Sequence, residues 1–402
     1  MSAQPAPSRV LPRALPGSTI LQILPALAND HAGRAAVNVA SSLLRSGARA
    51  MIASGGGRLV GELQALGGEW TQVPGATHNP IRLMGNARRL AEVIHDERVD
   101  IVHAYSGPTA WVARAAIKDT GALLVTSYFG SPATGMGASS FYQSALARGA
   151  RVLVDSQYAA DLIAKRHGVP ASRMIVMPRS VDTARFDPPA VSAERIAILR
   201  HGWHIRPGVR GVLIPGRLTP AKGQLTVVDA ARILVNGGLR GVAFIILADE
   251  GGNSDYSRAV NMRIEAQGLG GLFRRIGHCS DMPAAYGVAD IVLVPATEPA
   301  TYNRIAVEAQ AMERQVIASA VGVLPEIVRA PPYVPESERT GWLVNASDPV
   351  ELARAIADVL ALDAPTRQDI ARRARRSAEE FSPDRLAAST LAVYTALLEG
   401  ER

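Results

Sequence analysis

The sequence predicts an α/β protein of two Rossmann-like domains facing each other across a cleft. Short runs rich in Val, Ile and Leu alternate with longer stretches of helical period, the pattern of parallel sheets covered by helices on both faces. The pattern occurs twice in 402 residues, a length beyond the roughly 250–300 residues at which one core stops growing. Between the halves, "SVDTARFDPPAVSAERIAILRHGWHIRPG" (180–208) breaks the rhythm with an Asp-Pro-Pro and a weak helix.

The strand candidates of the first half are 19–27, 49–56, 100–106, 122–130, 151–156 and 173–178, with helix candidates at 33–47 and 80–97 between them. The second half offers 211–217, 242–249, 272–279, 290–296, 315–321 and 341–344. The expected organisation is a flexible tail over 1–18, a first domain over 19–185, a linker over 186–208, a second domain over 209–375 and a C-terminal helical segment over 376–402. In open α/β sheets ligands lie beyond the carboxyl ends of the strands, so the strand-to-helix loops are where chemistry is expected.

Composition narrows the class. Hydrophobic residues at 48% and charged residues at 20% describe an ordinary globular chain. The one cysteine, Cys279, excludes a disulfide framework and a Cys-based zinc site and fits a reducing cytoplasm. No apolar run reaches the length of a spanning helix, and the Pro/Ala/Ser-rich start lacks the apolar stretch of a signal peptide. A net charge of +7 points to an anionic partner. With no block of like charges and only 5% aromatic residues, nucleic acid is not expected.

Three loops of the second half carry the chemistry. "PGRLTPAKGQ" (215–224) brings Arg217 and Lys222 to the start of a helix, where two cations and the positive end of a dipole suit a pyrophosphate. "GHCSDMPAAYGVAD" (277–290) offers small and apolar residues to a flat base. The stretch 298–308 opens a helix expected to start near Ile305 and to hold Glu308 in its first turn, where a carboxylate can accept from both ribose hydroxyls. Together they describe a nucleoside diphosphate. A dehydrogenase is disfavoured, because no G-x-G-x-x-G follows the first strand.

These loops, with "VGVLPEIV" and "TGWLV", resemble the donor-binding domain of family 4 glycosyltransferases, and "DIVHAYS", "YFG", "VLVDSQYAADLI" and "VMPRSVDTARFDP" recur in the family in that order. The resemblance covers roughly residues 19–395 and its ordered motifs are more specific than any single loop. It implies a GT-B fold and a retaining transferase that takes a sugar from a nucleotide-diphosphate donor without an obligatory metal or other cofactor. The acceptor it implies is a glycan or a lipid-linked molecule, as in polysaccharide or lipopolysaccharide assembly in bacteria. Arg217 and Lys222 would be the catalytic cations that neutralise the departing diphosphate. Gly216, His278, Cys279, Tyr302, Asn303, Arg304, Ile305 and Glu308 would hold the donor, with Glu308 on the ribose. The final helix would brace the first domain.

The chain departs from the family where the sugar is expected. Ala300 stands where a second glutamate usually contacts the transferred sugar, and Glu298 could replace it only through a shift of loop register. Asn303 replaces a glycine, at a turn where positive φ is expected. Glu313 and Gln315 replace a glycine and a proline after the helix, at a cost of up to about 1 kcal/mol for a residue held at positive φ. In the first half, Asp30 and His31 stand where a Gly-Gly loop is expected, and the aspartate would repel a diphosphate. Phe129 replaces a histidine, and His103 is the nearest histidine by sequence, as a sugar contact or as a structural residue at a strand end.

Two expectations follow: an active transferase with an altered sugar subsite, or a non-catalytic relative that binds nucleotide and serves as a binding or assembly partner. The expected location is cytoplasmic. Arg82, Arg88, Arg89, Arg114 and Lys118 are the candidates for peripheral contact with an anionic membrane, against the plainer reading of a solvated helix face. The glycines of 130–149 suggest a mobile acceptor loop.

Overall fold

The computed structural model describes residues 15–73, 79–130, 138–248 and 254–400. The expected tail up to residue 14 and residues 131–137 of the glycine-rich loop lie outside them. The chain folds as two compact units, one formed by the residues up to Ser180 together with those from Pro383 onward, the other by Val181–Ser382.

The first unit is built on seven parallel strands: β1 (Thr19–Ile23), β2 (Arg49–Ser54), β3 (Glu69–Gln72), β4 (Ile101–Ala104), β5 (Leu123–Tyr128), β6 (Arg151–Val154) and β7 (Met174–Val176). Their order is β3-β2-β1-β4-β5-β6-β7. Every residue of β1 is buried, because helices cover both faces. Alternate side chains feed two cores, Leu21 and Ile23 on one face and Ile20 on the other. The helix Pro383–Leu398 packs on His31–Arg45, sending Leu391 and Tyr394 into the core beside Ile20.

β3 was not expected. It lies at the sheet edge, half-buried, so its sequence "EWTQ" needs no continuous apolar run. Arg49 on the neighbouring strand grips Glu69 at 2.5 Å and Glu97 at 2.7 Å.

The second unit repeats the plan with six parallel strands: β8 (Arg210–Pro215), β9 (Val242–Leu247), β10 (Phe273–Ile276), β11 (Ile291–Val294), β12 (Gln315–Ser319) and β13 (Trp342–Val344). The order β10-β9-β8-β11-β12-β13 reverses direction between β8 and β11, which pair at Ile291–Val212 and Val292–Leu213. That reversal opens a crevice at the carboxyl ends of the two strands.

The stretch 186–208, expected as a linker, is part of the second unit. Phe186, Val191, Trp203 and Ile205 are buried in its core, and the helix Ala193–Gly202 lies on the helix Met282–Val288. Gly287 makes that packing possible, since a Cβ there would stand 2.7 Å from Ile196 Cδ1. The expected C-terminal segment 376–402 divides at residue 382, its first residues belonging to the second unit and its long helix to the first.

Candidate functional site

The two strands that flank the reversal point each end in a loop that the sequence singles out. β8 runs into Gly216 (φ +132°), Arg217, Leu218, a short 3-10 turn over Pro220–Lys222 and Gly223 (φ +68°), after which the helix Gln224–Asn236 begins. β11 runs into Pro295, Thr297 and the capping residue Asn303 of the helix Arg304–Ala311.

The loops are sewn together. Thr297 donates through its backbone N–H to Ala221 O at 3.1 Å and through its hydroxyl to Pro220 O at 3.0 Å. A Cβ on Gly223 would stand 1.8 Å from Pro295 O, so only glycine allows the approach. Gly216 faces Ile305, whose Cδ1 lies 3.5 Å from where a Cβ would be.

At this junction Arg217 is exposed and Lys222 is half-buried. Burial and the Arg217 charge together lower the Lys222 ammonium pKa below the usual lysine range. Among the described residues neither cation forms an ion pair. The helix they precede has no side-chain cap, because its capping residue is Gly223. The Leu225 N–H instead donates to the Tyr256 hydroxyl at 3.3 Å. Gln224, fully buried, donates to Arg217 O at 3.1 Å, and its Oε1 has no hydrogen-bond partner among the described residues. Positive charge that no acid among the described residues offsets, at the start of a helix, is what an anion site requires.

Glu308 lies deeper. Its side chain is 5% exposed, accepts from the buried Tyr286 hydroxyl at 2.8 Å through Oε2, and pairs through Oε1 with Arg304 Nε at 3.2 Å. Burial pushes its carboxyl pKa up, opposed by the Arg304 charge, the Tyr286 hydrogen bond and Arg185. The helix begins at Arg304 and has no acid in its first turn, so Glu308 opens the second turn instead of the first. Asn303 also differs from expectation. Its φ is −138°, extended, and its Oδ1 accepts from the Ala306 N–H at 3.1 Å. It is an N-cap, the role to which asparagine is best suited. Tyr302 is half-buried beside it.

Behind this loop, Val323 N donates to Ala300 O at 2.9 Å, and a Cβ on Gly322 (φ +57°) would stand 2.6 Å from Ala300 N. The register around Ala300 is therefore fixed, and Glu298 stays exposed two residues away. Glu313 does hold positive φ, at 57°.

The 277–290 stretch is mostly the helix Met282–Val288. Its loop reduces to Gly277–Ser280, with His278 exposed and Cys279 half-buried. Burial pushes the Cys279 thiol up, away from the reactive thiolate. Asp281 caps the helix and holds Arg195 in a two-point pair at 2.8 and 2.6 Å.

In the first unit Asp30 is the N-cap of His31–Arg45, accepting from Gly33 N at 2.9 Å. His103 is structural. It lies buried between Tyr394 Oη at 2.6 Å and Ser127 Oγ at 2.8 Å, and burial pushes its pKa down to about 3. A cavity of about 10 Å³ separates it from Phe129, room for at most a single water. Phe129 lies under the Arg179 guanidinium at 5.4 Å, and Arg179 pairs with buried Asp155 at 2.9 Å.

Tyr286, Arg185, Gln224, Tyr256 and Thr297 were not found from the sequence. Tyr286 sat inside the stretch read as a loop and Gln224 at the end of a motif read for its cations, while Arg185, Tyr256 and Thr297 contact the site through partners distant in the chain. Among the described residues no three His, Cys, Asp or Glu side chains gather as metal ligands, and no helix is long and apolar enough to cross a membrane.

Comparison with known proteins identifies the family and the fold. The model of the family described as Glycosyltransferase Family 4 matches residues 32–185, and that described as Glycosyl transferases group 1 matches residues 209–361. A D-inositol 3-phosphate glycosyltransferase of Salinispora tropica is 30% identical over 261 residues, 63% of this chain and 52% of the relative. The chain spans about half the length of the curated relatives it matches. A solved glycosyltransferase from Rickettsia africae superposes with a TM-score of 0.80 at 26% identity, covering 95% of this chain and 99% of that one. Anabaena Alr3699/HepE, solved in complex with UDP, superposes with a TM-score of 0.75 at 19% identity, covering 94% and 100%, a likeness of fold.

Proposed function

This chain belongs to the family 4 glycosyltransferases of GT-B fold, and on that premise we propose that it transfers a sugar from a nucleotide-diphosphate donor with retention of configuration. The observation that carries the reading is the pair of uncompensated cations, Arg217 and Lys222, sewn to the loop that leads to Glu308. The diphosphate lies against Arg217, Lys222 and the start of Gln224–Asn236. The ribose reaches Glu308, and the base lies at Gly277–Ser280. That a protein of the same fold was solved with UDP supports a nucleotide as the ligand class.

As the bond from the anomeric carbon to the phosphate oxygen lengthens, charge grows on the leaving diphosphate, where the two cations are already oriented. The acceptor hydroxyl attacks the anomeric carbon from the face being vacated, and its proton passes to a phosphate oxygen of the leaving group. This scheme asks the protein mainly for positioning and for no obligatory metal or other cofactor. Calorimetry with UDP, GDP, ADP and their sugar conjugates, then an assay for sugar release, tests the reading. Tighter binding of a conjugate with release of free sugar supports it; no binding of any nucleotide defeats it.

A second reading has its own support. The fixed register at Ala300 keeps Glu298 out of that position, and Phe129 is packed beneath Arg179. A protein that binds nucleotide without turnover would show equal affinity for bare nucleotide and conjugate.

The acceptor we propose is a glycan or lipid-linked molecule, met by a cytoplasmic protein at the inner face of a membrane. On Pro80–Asp96, Ile81 is 82% exposed and Met84 48%, and they share a face with Arg88, near exposed Arg82 and Arg89. Arg114 and Lys118 are exposed nearby in sequence to the adjoining helix. Each basic residue near an anionic surface contributes about 1 kcal/mol. Sedimentation with anionic vesicles at low salt detects the contact, and no binding there removes it.

A further inference from the structure

Arg185 lies in the stretch that the sequence assigned to a domain end, yet it meets three parts of the second unit's site. Its Nη2 donates to Ser280 O at 3.5 Å, in the loop that follows β10. Its guanidinium lies 5.4 Å from the Phe186 ring, and that ring meets Tyr286, the partner of Glu308, edge-on at 5.9 Å. Its charge reaches both Glu308 and Asp281.

We propose that Arg185 is a specificity-determining residue that reads the edge of the donor's base. The inference rests on the reading that the second unit holds a nucleoside diphosphate. A base bound at Gly277–Ser280 with its ribose on Glu308 lies beside this guanidinium. Arg185 is exposed, and its side chain makes one long hydrogen bond among the described residues, to Ser280 O, so most of its five N–H donors remain available to a ligand beside that loop. A guanidinium donates and never accepts. It therefore favours a base that presents a carbonyl oxygen at its edge, as uracil and guanine do, over adenine, which presents an amino donor there. The plainer role, a strut over Phe186, would affect folding without choosing among bases.

The test titrates the full chain and its Arg185→Ala and Arg185→Lys variants with UDP, GDP, ADP and inorganic pyrophosphate by calorimetry. Wild-type protein is expected to prefer UDP or GDP over ADP. Arg185→Ala should lose roughly tenfold or more for the preferred nucleotide, while ADP and pyrophosphate stay within about twofold. Arg185→Lys should recover only part of the preference, because an ammonium lacks the planar fork. Equal losses for all four ligands, or unchanged nucleotide preference, overturn the assignment. Where Arg185→Ala does not fold, Arg185→Lys and Arg185→Gln carry the same comparison. Failure of wild-type protein to bind any of the four defeats the donor-site reading itself, whereas nucleotide binding indifferent to Arg185 defeats this inference alone.

Discussion

The two units share a strand order around their reversal points but treat the first loop in opposite ways. In the first unit, the loop after β1 is tied to the loop after β2, with Leu27 N donating to Gly56 O at 2.8 Å, and its helix end is capped from within. Asp30 caps the helix through Gly33 N, Gly33 lets the chain fold against Ala28 O, where a Cβ would come within 2.0 Å, and the cation that follows, Arg34, is paired with Glu62 at 2.8 Å. In the second unit, the loop after β8 reaches outward. Its glycine contact, Gly223 on Pro295 O, crosses to the loop after β11, its capping residue offers no side chain, and among the described residues its two cations pair with no acid. One fold thus yields a helix end capped by its own aspartate beside a paired arginine, and another that begins at a glycine beside two cations. The difference lies in a capping carboxylate and in which loop the glycine touches.

The sharpest way to break the contrast is Gly223→Ala. The new methyl group would collide with Pro295 O in a left-handed backbone, at a cost of about 3 kcal/mol or more, and should both lower the denaturation midpoint and abolish nucleotide binding. Gly33→Ala should destabilise too, yet leave nucleotide affinity intact in the molecules that fold. Next in size, Lys222→Ala and Arg217→Ala should each weaken nucleoside diphosphate binding by roughly 1.5–3 kcal/mol, whereas Asp30→Ala should cost about 1 kcal/mol of stability without changing affinity. If Asp30→Ala strengthened binding markedly, the first loop would be part of the anion site after all. Glu308→Gln should weaken UDP binding by roughly 1–2 kcal/mol and spare pyrophosphate; equal losses would remove the ribose role.

The smallest effect is a pH dependence with two limbs. Lys222 has its pKa lowered, so its charge, and with it anion affinity, is lost on the alkaline side at a pH below the ordinary lysine value. Glu308 has its pKa raised, so its charge is lost on the acid side at a pH above the ordinary glutamate value. Nucleoside diphosphate binding should fall on both sides, and pyrophosphate binding should lack the limb due to Glu308. Matching acid limbs for the two ligands would contradict that assignment.

Much of this was legible in the sequence because buried parallel strands are written as unbroken apolar runs. β3 was missed because its sequence, EWTQ, half-buried at the sheet edge, carries no such run. The misassigned linker shows a different limit. Phe186, Val191, Trp203 and Ile205 are spaced with neither strand nor helix period, so nothing local revealed that they share one core. Arg217, Lys222 and Glu308 could be found because the type of side chain and its place after a strand are local facts. Contacts between distant residues could not: Tyr286 and Glu308 are 22 residues apart, and Arg195 and Asp281 are 86 apart. Asn303 was visible but misread, and the capping role of Asp30 went unseen. Each was judged by charge or by its tolerance of positive φ, while the preference of both residues for helix caps explains them better.

The contact of Gly322 and Val323 with Ala300 bears on engineering. The backbone there is held by Val323 N on Ala300 O and by the close approach of Gly322, so placing an acid at this position is a matter of one side chain, Ala300→Glu, with no loop to redesign. Such a scaffold could gain or lose a sugar contact by point mutation while its nucleotide loops remain untouched.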